Sequence, residues 1–263
     1  MNKKKNISIK RALILLSSLM VTICLLAPFS FAKGDKIIIA IDTTKPPMEF
    51  LDREGKFAGF EIDFIKAMAE EVGFTPVFQK VAWKDIFTGL IEGKYDAICA
   101  SVSITKERQE MFSFSTPYIN IAQAVIVTKQ SNIETVADLN GKKIAVKSGT
   151  TSLIAAKHIP EVATIEYPTV EEAVQALQEG TVDAVVCDGP VAAFYVSEKQ
   201  GKGVKIATLL QGDTQEQYGM VVRPNDKQTL ATLNKGIAVV RRQLIDIDLQ
   251  KKWLAALLSA EQQ

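Results

Sequence analysis

An α/β fold with mixed, mostly parallel sheets follows from three features of this chain. Short apolar runs alternate with segments of helical periodicity. The apolar runs end in polar loops, and the whole alternation restarts midway along the sequence. No sequence repeat accompanies the restart, so only the pattern recurs.

The first strand is Lys36–Ile41, rich in isoleucine and stopping at Asp42. Phe60–Val72 carries apolar residues at Phe60, Phe64, Ala67 and Met68 with acids and a lysine between them, the period of a helix. Gly73 is its expected stop. Pro76, Val77 and Phe78 open another strand, residues 83–92 form a second helix, and 96–100 a third strand. Beyond Tyr118 the spacing predicts strands over 124–127 and 143–146, a helix from Thr151, and an amphipathic helix over Val170–Gln178. A strand over 184–186 then ends at Asp188. The helices expected over 228–242 and 249–258 read as packing elements. Ligands of such sheets bind beyond the carboxyl ends of the strands. Asp42, Trp83 and Ser101 all lie at or after such ends, which places them on one rim.

The string Ser101-Val102-Ser103-Ile104-Thr105-Lys106-Glu107-Arg108 carries the clearest chemistry. An apolar run leads into a loop of small hydroxyls, and a guanidinium follows five residues after the second serine. Arginine pairs bidentately with a planar carboxylate, and hydroxyls and backbone N–H groups satisfy its other lone pairs. Read without context, the same string also describes a surface arginine at the start of a polar helix.

Residues 1–32 read as a targeting segment and stand outside the fold. Lys3, Lys4, Lys5, Lys10 and Arg11 precede an apolar stretch from Ala12 to Phe29, and Ser30-Phe31-Ala32 supplies small residues for a signal peptidase cutting after Ala32. A retained anchor is the alternative, since the stretch approaches spanning length. Cys24 could mark a lipoprotein, but Ile23 before it is bulky for that cleavage. Cleavage leaves roughly 230 residues, enough for one large or two smaller cores. It also removes five basic and no acidic side chains, moving the formal net charge from +1 to about −4. No basic field remains for nucleic acid. Of three cysteines only Cys99 and Cys187 survive, both in apolar runs, which predicts buried free thiols rather than a disulfide framework.

Further strings place these features in a known pattern. Asp42-Thr43-Thr44-Lys45-Pro46-Pro47-Met48-Glu49-Phe50, Gly59-Phe60-Glu61-Ile62-Asp63, Trp83 and Gly93-Lys94-Tyr95-Asp96 occur in one half of the chain. Lys147-Ser148-Gly149-Thr150-Thr151, Gly180-Thr181-Val182-Asp183-Ala184, Cys187-Asp188 and Gln217-Tyr218-Gly219 follow. In order and spacing, from about residue 35 onward, the chain resembles the bacterial extracellular solute-binding proteins, family 3, for polar amino acids. The resemblance implies a two-lobe, type II periplasmic-binding-protein-like fold whose hinge has two crossovers, near 119–123 and 212–217. It divides the chain into lobe one, residues 33–120 plus 217–263, and lobe two, residues 121–216. It also implies a periplasmic monomer that delivers a free L-amino acid to the membrane permease of an ABC transporter, without a cofactor or metal.

The resemblance assigns roles residue by residue. Arg108, with Ser101 and Ser103, matches the carboxylate-binding set. Thr150 and Thr151 match donors from the second lobe, at a helix N-terminus that itself favours an anion, although threonine also serves there as a cap. Asp188 matches the partner of the α-ammonium, and Trp83 the aromatic against the ligand's aliphatic part. Asp42 matches a residue facing the ligand side chain. The chain departs from the family at Lys45, where Tyr or Phe is common. Lys147 is similar to the lysine of glutamine binders, whereas Ser101, Ser103 and Thr151 are closer to binders of basic amino acids. Cys187 stands where glutamine binders have histidine. Two lysines near Asp42 disfavour a cationic side chain by ~1–4 kcal/mol each if partly buried, unless they salt-bridge Asp42 or point into solvent, and a polar uncharged, glutamine-like, or acidic amino acid is expected.

The catalytic inventory is thin. His158 is the only histidine, and the sequence holds no phosphate loop or nucleophile elbow. Cyclohexadienyl or prephenate dehydratases resemble the same family and are the enzymatic alternative, because a dry cleft needs only one well-placed acid.

Overall fold

The computed structural model describes residues 35–197, 203–210 and 215–260, with side chains up to residue 255. The expected targeting segment and the cleavage expected after Ala32 lie outside the described residues. No helix among the described residues is long and apolar enough to cross a membrane.

Two five-stranded sheets organise the chain. The first contains β1 (Lys36–Ile41), β5 (Thr75–Lys80), β6 (Ala97–Ile98), β7 (Ser113–Phe114) and β15 (Val221–Val222), in the order β5-β1-β6-β15-β7. The second contains β9 (Gln123–Thr128), β10 (Lys143–Lys147), β11 (Ala163–Tyr167), β12 (Ala184–Asp188) and β13 (Val204–Leu210), in the order β11-β10-β12-β9-β13. Each sheet repeats one arrangement. β1 pairs in parallel with β5 and β6, and β10 in parallel with β11 and β12. The other pairings of both sheets are antiparallel. The expected parallel core is therefore present, but parallel pairing covers only half of each sheet. The antiparallel strands flank the crossovers, where the chain re-enters a sheet from its opposite end.

The crossovers meet as a short antiparallel ribbon, β8 (Ile119–Ile121) against β14 (Glu216–Tyr218), with Ile121 opposite Glu216. A small three-stranded sheet, β2 (Thr44–Lys45), β3 (Glu49–Leu51) and β4 (Phe57–Ala58), caps the end of β1. In it Lys45 lies directly opposite Glu49.

Helices cover the sheets where the periodicity predicts them. Phe60–Val72 buries Phe60, Ile62, Phe64, Ile65 and Met68, and Gly73 ends it in the left-handed conformation at φ 84°, its N–H donating to the Ala69 carbonyl. Lys227–Arg242 packs on that helix so closely that a Cβ at Gly236 would stand 2.9 Å from Met68 Cβ. This contact brings the C-terminal segment back to the first sheet. The expected helix over 83–92 is instead a 3₁₀ turn, Trp83–Asp85, followed by the helix Ile86–Ile91. The strand expected over 96–100 pairs only at Ala97–Ile98, because the chain kinks at Ser101, which has φ 51°. β11 and β13 went unpredicted, since both are half-buried edge strands without a continuous apolar run. Cys99 and Cys187 are buried and free, as expected.

Gly59 joins the small sheet to the Phe60–Val72 helix at φ 125°, and a Cβ there would stand 2.3 Å from the Met48 carbonyl oxygen. Both the conformation and the close approach require glycine. Gly59→Ala is expected to destabilise the protein by at least about 2 kcal/mol in urea unfolding, the scale of enforced backbone strain.

Candidate ligand-binding cleft

The carboxyl ends of the two parallel strand sets face each other. Asp42 follows β1, the Trp83 turn follows β5, and Ser101 and Ser103 follow β6 on the first lobe. Lys147 ends β10, Asp188 ends β12, and Thr150 and Thr151 start the helix Thr151–Lys157 on the second. Strand termini thus deliver the expected residues to both walls of one cleft.

Oppositely charged side chains join the walls. Lys45 Nζ, from the first lobe, lies 3.2 Å from Asp188 Oδ2 on the second. Lys147 Nζ, from the second lobe, donates to Asp42 on the first and to Thr44 Oγ1 at 2.9 Å. Thr44 in turn donates to Asp42 Oδ1 at 3.0 Å. All four charged residues are no more than 3% exposed, apart from Asp188 at 5%. Burial works against the charge on Lys45, but Asp188, Glu49 and Asp42 outweigh it and hold the ammonium above the ordinary lysine value. Burial likewise opposes ionisation of Asp188, yet Lys45 keeps its carboxyl below the ordinary value. Lys147 goes the other way. Burial and the neighbouring Lys45 lower its pKa despite Asp42.

Trp83 is the common wall for three cations. Lys45 Nζ, Lys147 Nζ and the Arg108 guanidinium lie 5.2, 5.4 and 5.6 Å from its ring centre. Its indole N–H reaches across to the Gly149 carbonyl at 3.3 Å. Arg108 is held by its short helix, Lys106–Met111, which Thr105 caps. Its guanidinium donates to the Ser103 carbonyl at 2.9 Å and the Gly149 carbonyl at 3.4 Å. Among the described residues no carboxylate lies within ion-pair distance of it, so its charge faces only neutral acceptors. Burial lowers its pKa. Ser103 Oγ and Thr151 Oγ1 meet across the cleft at 3.2 Å.

Other expected residues turn elsewhere. Thr150 does not cap its helix through its side chain; its hydroxyl donates to the Lys147 carbonyl at 2.7 Å. Ser101 turns its N–H and hydroxyl away from the cleft. The N–H donates to Glu61 Oε1 at 2.9 Å, and Oγ lies 2.8 Å from Glu49 Oε2 and 3.1 Å from Glu61 Oε1. Only its carbonyl faces Lys45, at 3.3 Å. Glu49 and Glu61 are wholly buried beneath the cleft, and Tyr118 donates to Glu61. Burial and the adjacent Glu61 push the Glu49 carboxyl well above the usual carboxylate range.

The sequence reading missed Gln123, Glu216 and Thr44. Gln123 Nε2 donates to Asp188 Oδ1 at 2.8 Å and to Glu216 Oε2 at 2.9 Å, while Ser152 donates to its carbonyl oxygen at 2.7 Å. Thr151 donates to Glu216 Oε1 at 2.5 Å. Gln123 begins β9 just past the first crossover, and Glu216 lies in the second. A polar residue opening an otherwise apolar strand was the only available signal for Gln123. His158 is exposed at the end of its helix, away from these groups.

Two α/β lobes joined by two crossover strands, with charged and hydrogen-bonding side chains converging in the cleft between them, define a binding protein that encloses a small polar solute. A model of the bacterial extracellular solute-binding proteins, family 3, matches residues 37–256, and the chain belongs to that family. The ABC transporter arginine-binding protein 1 of Escherichia coli (strain K12) is 32% identical over 231 residues, 84% of this chain and 93% of that protein. Among solved structures, an ancestral arginine-binding protein bound to arginine is 33% identical with a TM-score of 0.77, covering 84% of this chain and 99% of its own. An ancestral arginine-binding protein bound to glutamine is 34% identical with a TM-score of 0.75, covering 83% and 97%.

Arg108→Ala is expected to weaken ligand binding by roughly 2–5 kcal/mol, the usual cost of removing one member of a buried charge pair. Arg108→Lys should also bind poorly, because an ammonium lacks the planar fork. Titration calorimetry checks both, and binding within threefold of wild type would remove Arg108 from the site.

Glu49 generates a pH prediction. Its folded pKa is raised, so its stabilising contribution is full below the ordinary glutamate range and is lost as pH rises through the folded value. Glu49→Gln, which imitates the protonated form, should therefore gain on wild type as pH increases from about 5 to 8. Urea midpoints measured across that range give the difference.

Proposed function

We propose that the protein captures a free L-amino acid with a polar uncharged side chain, of the glutamine type, and hands it to the membrane permease of an ABC transporter. In this reading it acts as a monomer in the periplasm after cleavage behind Ala32. Residues 33–120 plus 217–263 form lobe one and 121–216 lobe two. Arg108, with Ser103 and Thr151, takes the α-carboxylate, supported on the second lobe by Thr150 and the Gly149 turn. Ser101 acts through its carbonyl and by fixing the loop. Asp188 takes the α-ammonium, and Trp83 covers the aliphatic part.

The Lys147–Asp42 pair carries the side-chain assignment. It presents a donor and an acceptor side by side, 2% exposed at each residue. A carboxamide complements both, its carbonyl accepting from Lys147 and its NH₂ donating to Asp42. A guanidinium or ammonium would have to share Asp42 with Lys147 and would lie near a second cation, Lys45. Relatives named for arginine therefore do not fix the ligand here, because Asp42, the carboxylate facing the ligand side chain, is already matched by Lys147. Their names, those of transport-binding proteins, favour capture over the dehydratase chemistry considered from sequence.

The test is titration calorimetry of refolded, ligand-stripped protein against the common amino acids. L-Glutamine is expected to bind at least about tenfold more tightly than L-arginine or L-lysine, a difference of roughly 1.4 kcal/mol. Lys147→Leu should narrow or reverse that preference by freeing Asp42. Tighter binding of arginine by the wild type would overturn the side-chain assignment.

A further inference from the structure

Lys45 occupies the environment that a ligand ammonium needs. It is 3% exposed, bonded to Asp188 Oδ2 and to the Ser101 carbonyl. The rings of Trp83 and Tyr218 stand 5.2 and 5.9 Å from its nitrogen. The other oxygen of Asp188 already accepts from Gln123. An arriving α-ammonium would bring a second cation onto the same carboxylate and so competes with Lys45 for Asp188. A displaced ammonium in a dry cleft needs another anion at once.

That anion lies one strand away. Lys45 and Glu49 are direct partners across the β2–β3 ladder, where facing side chains stand within reach of each other. Glu49 Oε1 is buried without a hydrogen-bond partner among the described residues. Its other oxygen shares the Ser101 hydroxyl with Glu61, and burial beside that second carboxylate raises the Glu49 pKa well above the usual carboxylate range. Lys45, Lys147, Asp42, Cys99, Tyr118 and Tyr218 are the charged and titratable groups around this pair.

We propose that Lys45 competes with the ligand's α-ammonium for Asp188, and that its transfer to the unpartnered oxygen of Glu49 expels a proton from the Glu49 carboxyl. The inference rests on the amino-acid reading of the cleft. The balance is simple. One carboxyl O–H bond breaks, the proton passes to solvent, and Lys45 stays an ammonium that now neutralises Glu49. A neutral zwitterion thus binds with release of about one proton near neutral pH. Burial and Glu61 raise the Glu49 pKa, which agrees with this direction.

Calorimetric titrations of the ligand-stripped full mature chain in phosphate and in Tris measure the exchange, because the two buffers differ in ionisation enthalpy. With L-glutamine the expected release is about one proton. Lys45→Met should bind L-glutamine more tightly and exchange no proton, and Glu49→Gln should also exchange none. Binding of L-glutamine without proton exchange would overturn the proposal while leaving the ligand assignment intact. So would an undiminished release by Lys45→Met. If L-glutamine gives no heat but L-asparagine or L-serine binds with release of one proton, the ligand assignment falls and the role of Lys45 stands.

Discussion

Asp42 and Asp188 stand on opposite lobes, and each is met by a lysine from the lobe to which it does not belong. A buried carboxylate loses several kcal/mol of hydration and persists as an ion only with a partner. Because the two pairs run in opposite directions, neither lobe neutralises its own cleft wall. Each supplies the charge that the other lacks. The charges of the two walls are thus matched across the lobes. Arg108 is the exception. Among the described residues its guanidinium donates only to carbonyl oxygens and stands over the Trp83 and Phe87 rings, with no carboxylate paired to it.

Beneath the cleft the same rule takes another form. Among the described residues no cation is bonded to Glu49 or Glu61; Ser101 and Tyr118 donate to them, and burial beside Glu61 raises the Glu49 pKa. The left-handed backbone at Ser101 turns that residue's N–H and hydroxyl downward while its carbonyl faces Lys45. One residue therefore links the buried carboxylates to the cation in the cleft. Changes of charge above and below it are coupled through a few hydrogen bonds.

The crossovers are tied into the same network. Gln123 and Glu216 lie where the chain passes between lobes, and one amide nitrogen of Gln123 serves both Glu216 and Asp188. Thr151 closes the circuit through Glu216. A ligand that interacts better with the closed cleft than with an open one shifts the population toward closure. Here the group expected to hold its ammonium is bonded directly to the segments about which the lobes would turn.

The strand and helix alternation, the Gly73 stop, the helix Val170–Gln178 and the rim positions of Asp42, Trp83 and Ser101 were legible in the chain. They follow from local periodicity and from the rule that parallel strands present their carboxyl ends to ligands. The two-lobe plan came through resemblance, since no local signal reveals that residues near 217 return to the first sheet. Whether Lys45 and Lys147 pair with Asp42 or face solvent was open in the sequence, and the pairing of Lys45 with Asp188 was beyond it. A lysine's reach is long, and which carboxylate it meets depends on how residues 45 and 188, or 42 and 147, are brought together by the crossovers. Ser101 shows the same limit from the other side. Its hydroxyl suits a carboxylate, as its neighbours suggested, but a single backbone turn at φ 51° aims it at two carboxylates of the protein itself. Residue type and order determined which groups line the cleft; only the tertiary structure decided which of them meet, because pairing across a hinge depends on distances that no local pattern encodes.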